Sequence, residues 1–330
     1  MHVRCLVAAL SVLAVTMLVP ASAAGQSGKW TPPRTPDGKP DIQGTFTFST
    51  ITPLQRPEAL VGKEILTPEE AAAFEASENK RLNRDLFDPE KGAPSAGYAP
   101  RSQGGVLSYN EFWYERGSQV TEDRRTSLIV DPPDGRIPYT AETRKRNAEL
   151  GAKNNSGFAD SYEDRSLVDR CILGFNSGPP MISSTYNNNM QIVQAPGYVV
   201  IHTEMIHEAR IIPTDGRPHA TMPRWTGDSR GRWEGDTLVV ETLNFRRETS
   251  LSGSSAATRL VERFTRVDPK TVKYEFTVTD PTTYTRPWTA VMPLRMMDEL
   301  LYEYACHEAN YGLRGILAGA RLKDNPDAAK

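Results

Sequence analysis

Residues 202–210 carry the densest set of side chains that can transfer protons. The stretch reads His202-Thr-Glu-Met-Ile-His-Glu-Ala-Arg, and four of the five histidines in the chain lie after residue 200. Histidine titrates near neutral pH, and a neighbouring carboxylate can orient it, so this composition favours acid–base chemistry. A second His-Glu pair follows close to the C-terminus. The candidate catalytic residues are Glu204, His207, Arg210, His307 and Glu308.

A metal site is an alternative use of the same stretch. Zinc-protease helices need the order H-E-x-x-H, whereas this stretch has Glu204-x-x-His207-Glu208 among β-branched residues. Gly197, His202, Glu204 and Glu208 nearly follow the first motif of cupin barrels, although the spacing is one residue short and the companion motif is missing. A cupin-like metal-dependent enzyme is therefore the second alternative, and the preferred interpretation needs no cofactor.

Alternation along the predicted strands indicates which polar side chains could line a pocket. Residues two apart share one face of a strand, and a mainly apolar wall with a few polar groups near strand ends is typical of a small-molecule site. The further pocket candidates are His202, Asn244, Tyr274 and Asp280. Alternatively these side chains face solvent, and Glu204 with Arg210 forms a surface ion pair that contributes under about 1 kcal/mol.

Other common catalytic motifs are missing from the sequence. There is no G-x-S-x-G nucleophile elbow, no phosphate-binding loop and no dinucleotide fingerprint followed by a helix. The Gly-rich run that begins at Gly227 and ends at Asp236 is interpreted as tight turns between short strands, with Trp225 and Trp233 as packing anchors.

Cys171 and Cys306 are the two cysteines outside the N-terminal leader, and they are expected to form one disulfide. That bond closes a loop of about 135 residues, which contributes on the order of 4–5 kcal/mol in the chain-entropy model. A free nucleophilic Cys306 beside His307 is the alternative, but adjacent residues on a strand point to opposite faces.

Most of the chain after residue 190 reads as short strands separated by turn signals such as Pro-Gly, Thr-Asp-Gly and Glu-Gly-Asp. The strands predicted there are 191–194, 198–204, 207–212, one at Trp225, 238–245, 259–267, 272–279, 288–292 and 301–306. Earlier strands are predicted from Thr45, at 112–115 and at 127–130. Residues 85–104 read as a long surface loop.

Three helices are predicted around these strands. The first begins at Thr67-Pro-Glu-Glu, which supplies an N-cap, a proline in the first turn and a glutamate at the third position. The second covers about 141–153, and a closing helix covers 311–322. A long meander avoids open edges best by closing on itself, so the predicted fold is all-β: an antiparallel meander closed or nearly closed into a lipocalin-like barrel, with peripheral helices. An open sandwich is the alternative.

The N-terminus has the order of a secretory signal. Arg4 precedes an apolar run from Cys5 to Val19, and Ala21-Ser-Ala23 supplies the cleavage pattern, so residues 1–23 are expected to be removed. The apolar run has about 15 residues, fewer than the roughly 20 that a membrane span needs. Residues 24–330 are then one periplasmic or extracellular domain, without a membrane span.

The charge balance argues against polyanionic partners. The formal net charge is -2 and the isoelectric point is near 6.3, with acidic and basic residues interleaved throughout. The chain has no basic stripe that would bind nucleic acid or an anionic membrane. The expected partner is a small organic ligand.

Four motifs resemble those of a family of secreted bacterial proteins to which no activity has been assigned. They are Pro36-Asp-Gly-Lys-Pro-Asp-Ile-Gln-Gly, Val130-Asp-Pro-Pro-Asp-Gly-Arg-Ile-Pro, Gly227-Asp-Ser-Arg-Gly-Arg-Trp-Glu-Gly-Asp-Thr-Leu-Val-Val and Tyr304-Ala-Cys-His-Glu-Ala-Asn-Tyr. The resemblance extends over nearly the whole chain after the leader, and it implies export and one shared architecture. It implies no catalytic residue, and the likeness to lipocalins is an analogy of general plan.

Two classes of function follow from these observations. The first is a secreted barrel that binds a small organic molecule and transforms it by cofactor-free acid–base chemistry, as a lyase, isomerase, cyclase or hydrolase would. The second is a non-catalytic, lipocalin-like carrier of an apolar ligand. Convergence of His207 and His307 on one cavity would favour the enzyme.

Overall fold

Ten antiparallel strands form a single sheet in the computed structural model, which describes residues 30–88, 90–92, 110–155, 159–247, 254–308 and 310–325. The strands are β1 (Gly44–Thr47), β2 (Ile129–Asp131), β3 (Asn189–Ala195), β4 (Tyr198–Thr203), β5 (Ala209–Pro213), β6 (Asp228–Glu234), β7 (Thr237–Leu243), β8 (Arg259–Asp268), β9 (Thr271–Thr279) and β10 (Trp288–Met296). The predicted leader, residues 1–23, and most of the predicted loop 85–104 lie outside the described residues.

The strand order is β5-β4-β3-β1-β10-β9-β8-β7-β6, with β2 paired to β10 beside this path. Consecutive strands are joined by tight turns, such as Gly197 between β3 and β4 and Gly235 between β6 and β7, both at positive φ. Glycine adopts this backbone conformation without steric strain, which is why Pro-Gly and Glu-Gly-Asp were informative turn signals. The predicted antiparallel, β-rich fold is confirmed.

The meander is interrupted by a strand from the N-terminal part of the chain. Strand β1 lies between β3 and β10, and Phe46 is in register with Met190 on one side and Met296 on the other. Phe46 is fully buried, so its side chain belongs to the core on which both halves of the sheet pack. The sheet is thus two meanders, β3–β5 and β6–β10, joined through β1.

The sheet curves until its two end strands, β5 and β6, lie side by side. A Cβ atom added at Gly231 on β6 would lie 3.1 Å from Ile212 Cγ2 on β5 and 2.9 Å from Thr214 Cγ2. No ladder pairing joins β5 to β6 among the described strands. The barrel is therefore nearly closed, as the sequence predicted, and it is closed by side-chain packing instead of hydrogen bonds.

The barrel interior is filled by one continuous hydrophobic core. Alternate residues of each strand point inward, as the burial of Val199, Ile201 and Thr203 on β4 shows. The largest fully buried side chains are Trp288, Tyr274, Phe46, Phe48, Phe264 and Phe276. Because these rings occupy the interior, a site for a ligand has to lie at the ends of the strands or outside the barrel.

Three helices accompany the sheet: α1 (Pro68–Leu82), α2 (Ala141–Asn155) and α3 (Tyr311–Asp324). At the start of α1 the Thr67 hydroxyl accepts from the Glu70 amide and the Glu70 carboxylate accepts from the Thr67 amide, so the predicted capping box is confirmed. None of the described helices is both long and apolar enough to span a membrane.

Several predicted elements are wrong. Residues 301–306 do not form a strand. Leu300 and Tyr302 are largely exposed, and the segment is fixed by the disulfide at Cys306 instead of by strand hydrogen bonds. The segment predicted as strand 112–115 begins with a short 3-10 helix, Glu111–Trp113.

The Gly-rich run after Gly227 is also different from its predicted form. Most of it is the seven-residue strand β6, and Gly231 sits inside that strand because β5 approaches closely there. Trp225 lies before this strand and stacks against the Arg246 guanidinium at 4.2 Å. Trp233 does pack against the core, as expected of an anchor.

The predicted disulfide is confirmed, because Cys171 and Cys306 are bonded with a Cα–Cα distance of 5.6 Å. It links the segment that precedes β3 to the irregular segment that follows β10.

Candidate functional site

A cavity of about 290 Å³ opens among irregular segments near the start of β3. Its walls are three aromatic side chains, one amide and one carboxylate. The lining residues are Trp113, Glu115, Tyr186, Asn187 and Tyr304. The volume is close to the lower end of the range of about 300–1,000 Å³ typical of ligand sites, so it suits a small molecule.

Backbone hydrogen bonds join two of the segments that line the cavity. The Glu115 amide donates to the Thr185 carbonyl at 3.0 Å, and the Asn188 side chain donates to the Glu115 carbonyl at 2.8 Å. Asn188 is fully buried, and its Oδ1 also accepts from the Ser184 amide. These contacts fix the position of Glu115 relative to Tyr186.

The third segment of the wall carries Tyr304 and is held from two sides. Cys306, two residues later, is bonded to Cys171. On the other side, His207 Nδ1 lies 3.2 Å from the Tyr304 carbonyl oxygen, so His207 positions this backbone as a hydrogen-bond donor. The ring of Tyr304 stacks on Tyr186 with centroids 6.3 Å apart and planes 22° apart.

More aromatic rings surround this stacked pair. Phe175 and Tyr114 both contact Tyr186, at centroid distances of 5.4 Å and 6.3 Å. Trp113 is 63% exposed and Phe112 is 84% exposed, and the two rings meet edge to face. Large exposed aromatic side chains beside a cavity are a feature of binding surfaces.

Two carboxylates meet at Asn189, the first residue of β3. Asn189 Nδ2 donates to Glu204 Oε2 at 2.7 Å, and Glu204 is only 4% exposed. Glu115 borders the open cavity and is an exposed residue, yet protein atoms around its carboxyl group partly desolvate it and raise its pKa. The negative charge of Glu204 raises this pKa further, while hydrogen bonds from Asn189 and the Asn187 amide oppose the shift.

The backbone between β4 and β5 is strained. Ile206 has φ 59° and His207 has φ 43°, in the left-handed region that a β-branched residue such as isoleucine rarely adopts. Ile206 is buried, so packing holds the strain in place. This conformation turns His207 outward, toward Tyr304, and strain of this kind concentrates at functional sites.

Of the predicted catalytic residues, two therefore lie near the cavity without lining it. Glu204 is hydrogen-bonded to Asn189, and His207 is hydrogen-bonded to the carbonyl of Tyr304. Arg210 does not join them. Its guanidinium points into the barrel, where Nη2 donates to Glu262 Oε1 at 3.0 Å. The surface ion pair between Glu204 and Arg210 considered above does not form, because each side chain has a different partner.

His307 and Glu308 are exposed and are not among the residues that line this cavity. Glu308 instead borders a neighbouring cleft of about 380 Å³ that contains both disulfide cysteines. The convergence of His207 and His307 on one cavity, which would favour an enzyme, is not observed: both side chains are exposed, and His207 contacts the Tyr304 carbonyl, three residues before His307.

The remaining pocket candidates lie elsewhere. His202 is on the outer face of β4, and Asn244 is at positive φ after β7. Tyr274 is fully buried in the core, where burial and the adjacent Glu262 carboxylate raise its pKa. Asp280 is buried and accepts hydrogen bonds from Thr282, Thr283 and the Ser255 amide; although burial opposes ionisation, these bonds lower its pKa to about 2.

Sequence reasoning identified none of the five lining residues as site residues. Glu115 and Tyr304 lie in segments that were predicted as strands but are irregular in the structure, and Tyr186 lies in no predicted element, so alternation could not assign them to a face. Only local composition could have indicated this site: aromatic residues directly precede Glu115, and three consecutive asparagines begin at Asn187.

A metal site is not supported by the geometry. The described residues include no group of three or more His, Cys, Asp or Glu side chains that could hold a metal ion. The side chains that nearly follow the cupin motif point in different directions: His202 faces outward from the barrel, whereas Glu204 is hydrogen-bonded to Asn189.

No protein-family model, curated protein or solved structure matches this chain. The function therefore has to be argued from the chemistry of the cavity itself.

Proposed function

We propose that this protein binds a small organic molecule in the cavity between Trp113, Tyr186 and Tyr304, and transfers a proton to or from it. The observation that supports this most directly is the pair of carboxylates, Glu115 and Glu204, joined through Asn189 beside an aromatic-walled cavity. A concave, largely apolar site with a few converging polar groups and a carboxyl group of perturbed pKa is the usual form of an active site.

Glu115 is the proton-transferring group in this proposal. It lines the cavity, and its raised pKa keeps it protonated to a higher pH than an ordinary glutamate, which suits a general acid or base. Glu204 and Asn189 are positioning residues: the amide of Asn189 interacts with both carboxylates, and the charge of Glu204 sustains the shift. His207 holds the Tyr304 backbone at the opposite wall.

A non-catalytic carrier is the second candidate, and one observation favours it. Three of the five lining side chains are aromatic and Trp113 is 63% exposed, so these walls offer contact area to a ligand without any proton transfer. The barrel core is filled, so a carrier would also use this cavity and would differ from lipocalins in that respect.

Export is part of the proposal. It is supported by the leader pattern in residues 1–23 and by the disulfide between Cys171 and Cys306, which persists in an oxidising compartment. The resemblance to a secreted bacterial family points the same way.

The test separates binding from catalysis. Ligand-observed NMR with a panel of small amines, alcohols and carboxylic acids identifies binders, and Tyr304→Ala is expected to remove binding. Tyr302→Ala is the matched control, because Tyr302 is 73% exposed and does not line the cavity. The proposal would be refuted if no compound binds, or if Tyr304→Ala leaves the binding of every compound unchanged.

Catalysis is then measured as exchange of ligand C–H protons with solvent in D₂O. Deuterium incorporation that disappears in Glu115→Gln identifies an enzyme. If the unmodified protein binds a ligand but incorporates no deuterium into it, the protein is a non-catalytic carrier.

A further inference from the structure

The walls of this cavity differ from those of an ordinary apolar pocket in their uncompensated negative charge. We propose that the ligand is an organic cation, such as a substituted ammonium compound. The inference rests on the proposed function and specifies the chemical class of its ligand.

The first support is electrostatic. Among the strongest influences on the pKa of the Glu115 carboxyl group, two act through charge, those of Glu204 and Glu299, and both disfavour its ionised form. Within the described residues Glu115 takes part in no ion pair. The adjacent Arg116 does not compensate it, because its guanidinium is 2.8 Å from Glu111 and lies over the ring of Tyr114. A ligand cation would relieve this repulsion.

The second support is an acceptor without a donor. Asn189 is 6% exposed, and its Oδ1 is buried without a hydrogen-bond partner in the part of the chain that the structure describes. The Nδ2 group of the same amide is directed to Glu204. Buried acceptors in folded proteins are nearly always satisfied. Asn189 does not itself line the cavity, so a ligand would satisfy this oxygen only with an N–H or O–H donor placed behind Glu115.

The third support is the aromatic wall. Trp113, Tyr186 and Tyr304 line one cavity, and the faces of tryptophan and tyrosine rings carry the negative end of the ring quadrupole. Such faces attract ammonium groups, and several rings around one cation form the usual recognition site for quaternary ammonium compounds. Anionic ligands are disfavoured by the same faces and by Glu115.

Choline and 3,3-dimethylbutan-1-ol provide a direct test, because they have the same shape and differ in charge. Isothermal titration calorimetry of the oxidised protein is expected to give an affinity for choline at least about tenfold higher than for the alcohol. Glu115→Gln should reduce this ratio toward one, mainly by weakening the binding of choline. Glu149→Gln, on the exposed surface of α2, is the matched control and should leave the ratio unchanged.

Trp113→Leu is a second variant, chosen because Trp113 is too exposed for the fold to depend on it. It should weaken choline binding by about tenfold while preserving the thermal transition. Equal affinity of choline and the alcohol for the unmodified protein would overturn the cation assignment and leave small-molecule binding intact. Absence of choline binding would overturn it as well, and the proposed function would then be judged by the neutral and acidic compounds of the NMR panel.

Discussion

Arg210 Nη1 lies 2.8 Å from Glu262 Oε2 inside the barrel, although Arg210 is on the end strand β5 and Glu262 is on β8, six strands further along the strand path. This contact is short but is not aligned as a hydrogen bond, whereas the parallel Nη2–Oε1 contact is. Tyr274 donates a further hydrogen bond of 2.7 Å to Glu262. The ion pair therefore connects β5 to β8 across the barrel interior. It adds a link between the two ends of the sheet, because no backbone ladder pairs β5 with β6 among the described strands.

Replacement of Arg210 by methionine is expected to lower the free energy of unfolding by about 3–5 kcal/mol, because it leaves the Glu262 carboxylate buried without a counter-charge. The double variant Arg210→Met/Glu262→Leu should recover most of this loss. Arg217→Met, which removes an exposed ion pair with Asp215, is the control and should cost far less stability, because water screens this pair. Urea unfolding measures all three, and equal losses for Arg210→Met and Arg217→Met would contradict the prediction.

The pKa of Glu115 predicts a pH-dependent effect of Glu115→Gln. A raised carboxyl pKa contributes stability that is complete below the ordinary value of 4.5 and is lost as pH rises through the folded-state pKa. The stability of the variant relative to the unmodified protein should therefore increase from about pH 4 to pH 7. Denaturant unfolding at several pH values tests this; a stability difference that is constant or falls over this range would contradict it.

The disulfide should support both the fold and the cavity. It spans 135 residues of sequence, so replacing Cys171 and Cys306 with serine should reduce stability by about 4–5 kcal/mol. Because Cys306 anchors the segment of Tyr304, the binding of cavity ligands should weaken under conditions where the variant is still folded. Unfolding curves and calorimetry test the two effects, and unchanged affinity in the folded variant would show that Tyr304 is held without the bond.

Glycine-to-alanine replacements should have opposite effects at two positions. Gly231→Ala brings a Cβ within 2.9 Å of Thr214 Cγ2 and 3.1 Å of Ile212 Cγ2, so it should destabilise the barrel by about 1–3 kcal/mol. Gly315→Ala, in α3 with no atoms within 4 Å of the new Cβ, should stabilise the helix by roughly 0.5–1 kcal/mol. Thermal unfolding distinguishes these effects, and a stabilising Gly231→Ala would show that β5 and β6 do not pack closely in solution.

Local sequence signals were sufficient for much of the fold. Gly197 and the Glu-Gly-Asp turn at Gly235 marked hairpins, Thr67 marked the start of α1, and the two cysteines gave the disulfide. The place of β1 could not be predicted in this way, because Phe46 pairs with Met190 and Met296, and nothing near Phe46 in the sequence specifies partners so distant. Strand β6 was hidden by glycines that read as turns.

The site was predictable only where its residues cluster along the chain. Glu204 and His207 share one short stretch of the sequence, and the structure places both near the candidate cavity. Arg210 belongs to the same stretch, but its position on β5 points it into the core, toward a partner 52 residues away. Glu115 and Tyr304 meet only through tertiary contacts of irregular segments, which periodicity does not describe.

The insertion of β1 also determines the order in which the barrel can be assembled. The meanders β3–β5 and β6–β10 pair strands that are close in sequence, so each can form early. Their union waits for Gly44–Thr47, which is synthesised first and must be held until both neighbours exist. Until then β3 and the part of β10 that does not pair with β2 present open edges to solvent, and these edges are where a newly made chain is most exposed to aggregation with another copy.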